Sequence, residues 1–161
     1  MSWSDRRSFV VSLAALPLAA CGFTPAYAPG GSGQALRGQV RAADPVTSRD
    51  FDFVSAFEQR LGRPTTPGMD LDYAISTSER GAAQLSGLGA TRITLFGEVA
   101  YTLIDIASGE TLTSGRLRNF TNYSTTDTQL ATRRAQEDAE KRLMRILADQ
   151  VATRLMAALA E

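Results

Sequence analysis

The sequence predicts an α+β domain. Its architecture is a two-layer sandwich, a four-stranded, mostly antiparallel sheet with two helices on one face, in the order β-α-β-β-β-α. Three observations predict it. Two segments repeat apolar residues at intervals of three and four, the period of a buried helix face. Other segments alternate apolar and polar residues, the period of a half-buried strand. Short turn signals separate the later strands, so they pair as a meander and leave two striped helices to cover one face.

The elements follow in order. Ala35 to Ala42 is the candidate first strand, with Leu36 and Val40 on one face, Arg37 and Arg41 on the other, and Gly38 between. A short helix comes next. Thr47 is its N-cap, Asp50 completes a capping-box variant, and Asp50 and Asp52 suit the positive end of the helix dipole. Phe53, Val54, Phe57 and Leu61 form its apolar stripe, and Gly62 and Pro64 end it. Leu71, Tyr73 and Ile75 alternate with Asp72, Ala74 and Ser76, which predicts the second strand. Glu79 to Ala90 is expected to be a loop of small residues.

Arg92 to Asp105 is the clearest strand, with Ile93, Leu95, Val99, Tyr101 and Leu103 on one face. Ala107 to Glu110 is a hairpin turn. The last strand runs from Thr111 to about Tyr123, with imperfect alternation and a bulge or twist expected at Gly115. One long helix closes the chain. Thr126 with Gln129 is the expected cap. Leu130, Ala135, Ala139, Leu143, Leu147, Val151, Leu155 and Leu159 make its stripe, widened by Met144, Ile146 and Ala158. Glu137 with Lys141 and Asp138 with Arg142 pair acid-first at i,i+4. A helix of roughly 30 residues is about 45 Å long, so one end is expected to pass the sheet. The sheet edges are left open to a partner strand.

The N-terminus carries the parts of an export signal. Arg6 and Arg7 are a positive start, and Ser8 to Ala20 is an apolar run too short for the about 20 residues that span a bilayer. The run ends in Leu18-Ala19-Ala20-Cys21, the bacterial lipobox pattern. Residues 1–20 are therefore expected to be removed, and Cys21, the chain's single cysteine, to become the lipidated first residue. Acylation consumes that thiol, so disulfides and thiol catalysis are not expected. Gly22, rather than Asp, follows the cysteine, which points to the periplasmic face of the outer membrane. Asp5 to Val10 also resembles a twin-arginine signal, and the export route stays open. Residues 21–34, rich in Gly, Pro, Ala and Ser, read as a flexible tether, and residues 35–161 as the domain.

Composition narrows the chemistry. Seventeen basic and seventeen acidic residues balance, and removal of the signal leaves the mature domain near minus one. A nucleic-acid binder would show a basic excess, so no nucleic-acid partner is expected. Every basic residue except Lys141 is arginine. There is no histidine, which removes Ser-His-Asp and Cys-His mechanisms and His-ligated zinc. Asp70 and Asp72 share one strand face and read as solvated. Gly81, Gly87 and Gly89 lack the spacing and the lysine of a phosphate loop. No enzyme, cofactor or metal is expected.

The lipobox cysteine with Gly22-Phe23-Thr24-Pro25-Ala26-Tyr27, the Gly/Ser tether and the order of elements resembles LptE, the lipopolysaccharide-assembly lipoprotein family, in its alphaproteobacterial form. That resemblance implies a non-enzymatic role. The domain would plug the outer-membrane barrel LptD, support assembly of that barrel, and bind lipopolysaccharide on its way to the surface. A polar-surfaced, near-neutral domain suits a polar lumen. Lipopolysaccharide binding needs cations aimed at phosphates. The candidates are Arg92, beside the small-residue loop, and Arg116 and Arg118, two apart and so on one face. The plainer alternative is that all three solvate the sheet face away from the helices. Two other functions fit the same residues less well: a lipoprotein scaffold of another envelope machine, and a carboxylate-dependent hydrolase needing two carboxylates about 5–10 Å apart.

Overall fold

The computed structural model describes residues 31–81, 92–125 and 128–160. Its elements are helix α1 (Ser32–Leu36), strand β1 (Val40–Ala42), helix α2 (Ser48–Leu61), strands β2 (Met69–Gly81), β3 (Arg92–Asp105) and β4 (Thr111–Ser124), and helix α3 (Gln129–Ala158). The four strands form one sheet in the order β1-β2-β3-β4. β1 runs parallel to β2, and the other pairs are antiparallel. The α+β fold is the one the sequence predicts. Cys21, the signal and most of the tether lie outside the described residues, as does the part of the small-residue loop at 82–91.

The first element departs from expectation. Strand pairing is confined to Val40–Ala42, and Ser32–Leu36 is helical. Gly38 adopts φ +70°, a left-handed conformation that turns the chain between the two. Leu36 and Val40 are both buried, but from a helix and a strand rather than from one strand face.

α2 forms as its sequence dictates. The Thr47 hydroxyl accepts the Asp50 N–H at 3.2 Å, and the Asp50 carboxylate accepts the Thr47 N–H at 2.9 Å. This reciprocal pair satisfies two donors that a helix start otherwise leaves open. Phe53, Phe57 and Leu61 are fully buried, and Gly62 at φ +83° ends the helix. As the crossover between parallel β1 and β2, α2 lies against α3 on the same face of the sheet.

β2 is longer than predicted. Glu79, Arg80 and Gly81 continue the ladder opposite Leu95, Thr94 and Ile93, so the expected loop begins only after them. The ladder irregularity lies between Leu103 and Ile104, not at Gly115. Gly115 has another role: a Cβ there would lie 2.7 Å from the Tyr101 hydroxyl oxygen, so the missing side chain makes room for that ring. The turn after β3 is held by Asp105, whose carboxylate accepts the Ser108 N–H and hydroxyl at 2.8 and 2.9 Å. Those bonds hold the Asp105 carboxyl below its usual range.

α3 is capped by Thr128, whose hydroxyl accepts the Ala131 N–H. The cap lies two residues beyond the predicted Thr126, which is outside the described residues. Leu143, Leu147, Val151 and Leu155 are fully buried against the sheet and α2, whereas Leu130 is 69% exposed where the first turn leaves the core. Asp138 and Arg142 form the predicted ion pair at 2.9 Å. At Gly97 the helix lies directly on β3: a Cβ would come within 2.8 Å of Leu143 Cδ2 and 3.1 Å of Leu147 Cδ1.

Tyr73 marks the junction of α2 and β2. Its ring packs on Phe53, with centroids 4.9 Å apart, and its buried hydroxyl has no partner among the described residues. Burial, aided by Asp50 and Asp44, pushes its pKa up to about 12. In the unfolded chain a tyrosine ionises near about 10. The fold therefore retains the proton longer, and its stability falls as pH rises from about 10 to about 12. Tyr73→Phe is expected to flatten that fall and to leave the neutral-pH melting point unchanged or higher, because no hydrogen bond is lost. Thermal melts of both proteins across that pH range check it. A variant that melts lower at pH 7 and keeps the alkaline slope would refute it.

Candidate functional site

Helices α2 and α3 cover one face of the sheet. Among the described residues no helix covers the other face, and strand parity decides which side chains reach it. On β3, Leu95, Gly97, Val99, Tyr101 and Leu103 turn to the helices, so Arg92, Thr94, Phe96, Glu98 and Ala100 turn away. The antiparallel register brings Arg80 opposite Thr94, Phe120 opposite Phe96, and Arg118 opposite Glu98. These residues lie on the same open face.

The three predicted arginines do share that face, but they are not one cluster. Arg116 and Arg118 are neighbours on β4. Arg92 pairs with Ser124, six residues along β3 from Glu98, which is about 20 Å at strand rise. Arg116 and Arg118 both address Glu98. Arg118 makes the close ion pair, and Arg116 Nε stands at 3.6 Å. One carboxylate thus serves two guanidiniums.

Between Arg92 and that pair lies a group the sequence reading did not single out. Phe96 and Phe120 are directly opposed, with ring centroids 5.9 Å apart and planes tilted by 43°. They are 37% and 55% exposed, unusual for large aromatic residues. The Arg80 guanidinium stands 5.5 Å from the Phe96 ring centroid, in range of a cation–π contact. A shallow depression of about 510 Å³ includes Ser76, Ser78, Arg80, Phe96, Glu98 and Arg118 in its lining. Parity was the available signal: Phe96 and Phe120 occupy strand positions whose neighbours at two residues are polar or charged.

The open face is polarised along the strands. At the β1 end, Arg41 donates through Nε and Nη2 to the Asp70 carboxylate, 2.8 Å each, and this holds the Arg41 pKa up. Asp70 and Asp72 lie there, and Asp70 is an ion-pair partner. At the far end stand Arg80, Arg92 and Arg118 around an exposed aromatic pair. Guanidiniums beside an apolar platform can hold a ligand that joins phosphates or carboxylates to apolar groups, because one part supplies charge-assisted hydrogen bonds and the other buries carbon.

A family model described as "LptE: Lipopolysaccharide-assembly" matches residues 28–155. Among solved structures, a candidate lipoprotein from Caulobacter crescentus CB15 superposes with a TM-score of 0.67 at 18% identity, over 80% of this chain and 96% of that one. Uncharacterized lipoprotein B from Nitrosomonas europaea gives 0.58 at 16% identity, over 84% and 91%. Rare lipoprotein B from Shewanella oneidensis gives 0.50 at 14% identity, over 75% and 93%. At such identities these structures share the fold. No curated protein matches the sequence significantly.

Proposed function

This chain belongs to the LptE lipopolysaccharide-assembly family, and on that basis we propose that it plugs the LptD barrel, supports barrel assembly and assists delivery of lipopolysaccharide to the cell surface. The family is a non-enzymatic lipoprotein family. The observation that carries the reading is the match over residues 28–155, which takes in every strand and nearly all of α3.

The lipid anchor and location belong to the same proposal. Cys21, at the end of Leu18-Ala19-Ala20, carries the lipid, and Gly22 sorts the chain to the periplasmic side of the outer membrane. Two or more acyl chains give stable anchoring where one would be marginal. The tether then lets the domain reach a barrel lumen in the same membrane.

Lipopolysaccharide contact is assigned to the basic end of the open face. Arg80, Arg92 and Arg118 meet phosphates, Arg116 lies at the margin, and Phe96 with Phe120 offers the apolar platform. The support is the coincidence of exposed aromatic rings and guanidiniums on the sheet face that no helix among the described residues covers. Depletion in the parent cell tests the function. Newly made lipopolysaccharide should fail to reach the surface and mature barrel should decline, whereas undiminished surface lipopolysaccharide would overturn the proposal.

A further inference from the structure

The sheet has one long free edge. β4 pairs with β3 along its length, and no strand among the described residues pairs with its other side. In an antiparallel ladder, alternate residues turn both backbone groups away from the neighbouring strand. Two contacts identify which ones here. The Phe120 N–H is taken by Asn119 Oδ1 at 2.8 Å, and the Asn122 carbonyl accepts from Arg142 Nη2 at 3.1 Å. The even-numbered residues of β4 therefore face the edge. Side chains already occupy that edge at 120–122, which is a usual way to block strand addition. Two residues nearer the hairpin, the backbone groups of Ser114, Arg116 and Arg118 point the same way. Gly115, within that stretch, presents no side chain on the helix side.

We propose that the β4 edge at Ser114–Arg118 docks an extended segment of a partner protein whose side chains on the open face include a carboxylate beside Arg116. Charge selects the occupant. Glu98 is engaged closely by Arg118, and Arg116 stands off at 3.6 Å, so the edge carries surplus positive charge. An added strand with Asp or Glu at the cross-strand position supplies the second carboxylate. Charge disfavours a second copy of this chain in the registers centred on Arg116 or Leu117, where antiparallel self-pairing sets arginine against arginine, which is destabilising. The backbone groups of the edge lie in the plane of the sheet, whereas Arg80, Phe96 and Phe120 face out of it. Arg116 and Arg118 border both, and Ser114→Pro, which alters only the backbone edge, separates strand addition from lipopolysaccharide contact.

Hydrogen exchange tests it. The full chain is isolated from its own membranes in mild detergent with whatever proteins accompany it, and compared with the purified chain alone. Amides at 114, 116 and 118 are expected to exchange at least about ten-fold more slowly in the complex. Ser114→Pro removes one edge N–H, a change an edge strand accommodates, and Arg116→Glu reverses the charge. Each should restore fast exchange at Arg118 while the isolated variant stays folded, Arg116→Glu giving up only an exposed contact with Glu98. Equal exchange in both wild-type samples overturns the proposal, and that comparison stands even if a variant misfolds. Slowing that persists in both folded variants also overturns it, because simple occlusion then explains the protection. So does a chain that comes from the membrane with no protein partner. A barrel that accompanies the chain while the edge stays unprotected removes this inference and leaves the proposed function intact.

Discussion

Leu143→Ala is expected to destabilise the domain by about 2–5 kcal/mol, a large share of the about 5–15 kcal/mol that holds a typical domain folded. Leu143 is fully buried, at the centre of the layer between α3 and β3. Its side chain fills the space that Gly97 leaves, with Cδ2 only 2.8 Å from where a Cβ would stand. That geometry makes a sharper test than the single substitution. Gly97→Ala in the wild type forces a methyl group against Leu143 and Leu147, and overpacking of this kind costs about 1–3 kcal/mol. In the Leu143→Ala background the same methyl enters the cavity just made, so its cost should shrink or reverse. Residues in contact couple by about 0.5–3 kcal/mol. Urea unfolding of the four proteins measures the coupling. Strict additivity would show that α3 does not rest on β3 at Gly97.

Arg92→Glu combined with Arg118→Glu is expected to lower lipopolysaccharide affinity by about ten- to a hundred-fold, since hydrogen bonds to charged groups contribute about 1.5–3 kcal/mol each. Both guanidiniums stand on the open face at the end that holds Phe96 and Phe120, and neither belongs to the core. The domain should stay folded, with a stability loss of no more than about 1–2 kcal/mol from the exposed Arg118–Glu98 pair and the new like-charge contact. The affinity loss should also shrink in high salt, because screening weakens contacts between exposed charges. Binding of purified lipopolysaccharide, followed by co-elution at two ionic strengths, reads both effects. Unchanged affinity would leave these arginines as solvation for the sheet face.

Much of the fold was legible because local chemistry and burial agreed. The Thr47–Asp50 box marks the start of α2 in sequence and structure alike, and Gly62 marks its end. β3 was clear because α3 packs on one face, so Leu95, Val99, Tyr101 and Leu103 alternate with Glu98, Ala100 and Thr102, although Phe96 and Gly97 depart from the pattern. β4 was harder. Gly115 interrupts the inward face, and Phe120 places a large aromatic residue on the outward one. The first strand misled for a different reason. Leu36 and Val40 are spaced to share a strand face, but the positive φ at Gly38 lets a helix and a strand each bury one of them.

The candidate surface was legible in part. Spacing placed Arg116 and Arg118 on one face, and they are there. Spacing within one strand could not show that Glu98 lies between them, or that Arg80 stands over Phe96. Those depend on cross-strand register, which carries β2 three residues further than its alternation suggested.

Affinity isolation of the mature, lipidated chain from detergent-solubilised outer membranes bears most directly on the proposed role. One large barrel protein at about one-to-one stoichiometry is the expected companion, as a domain held inside a single lumen requires. Recovery of a periplasmic or transporter component in place of any barrel would contradict the plug function and leave a lipoprotein that scaffolds another envelope machine.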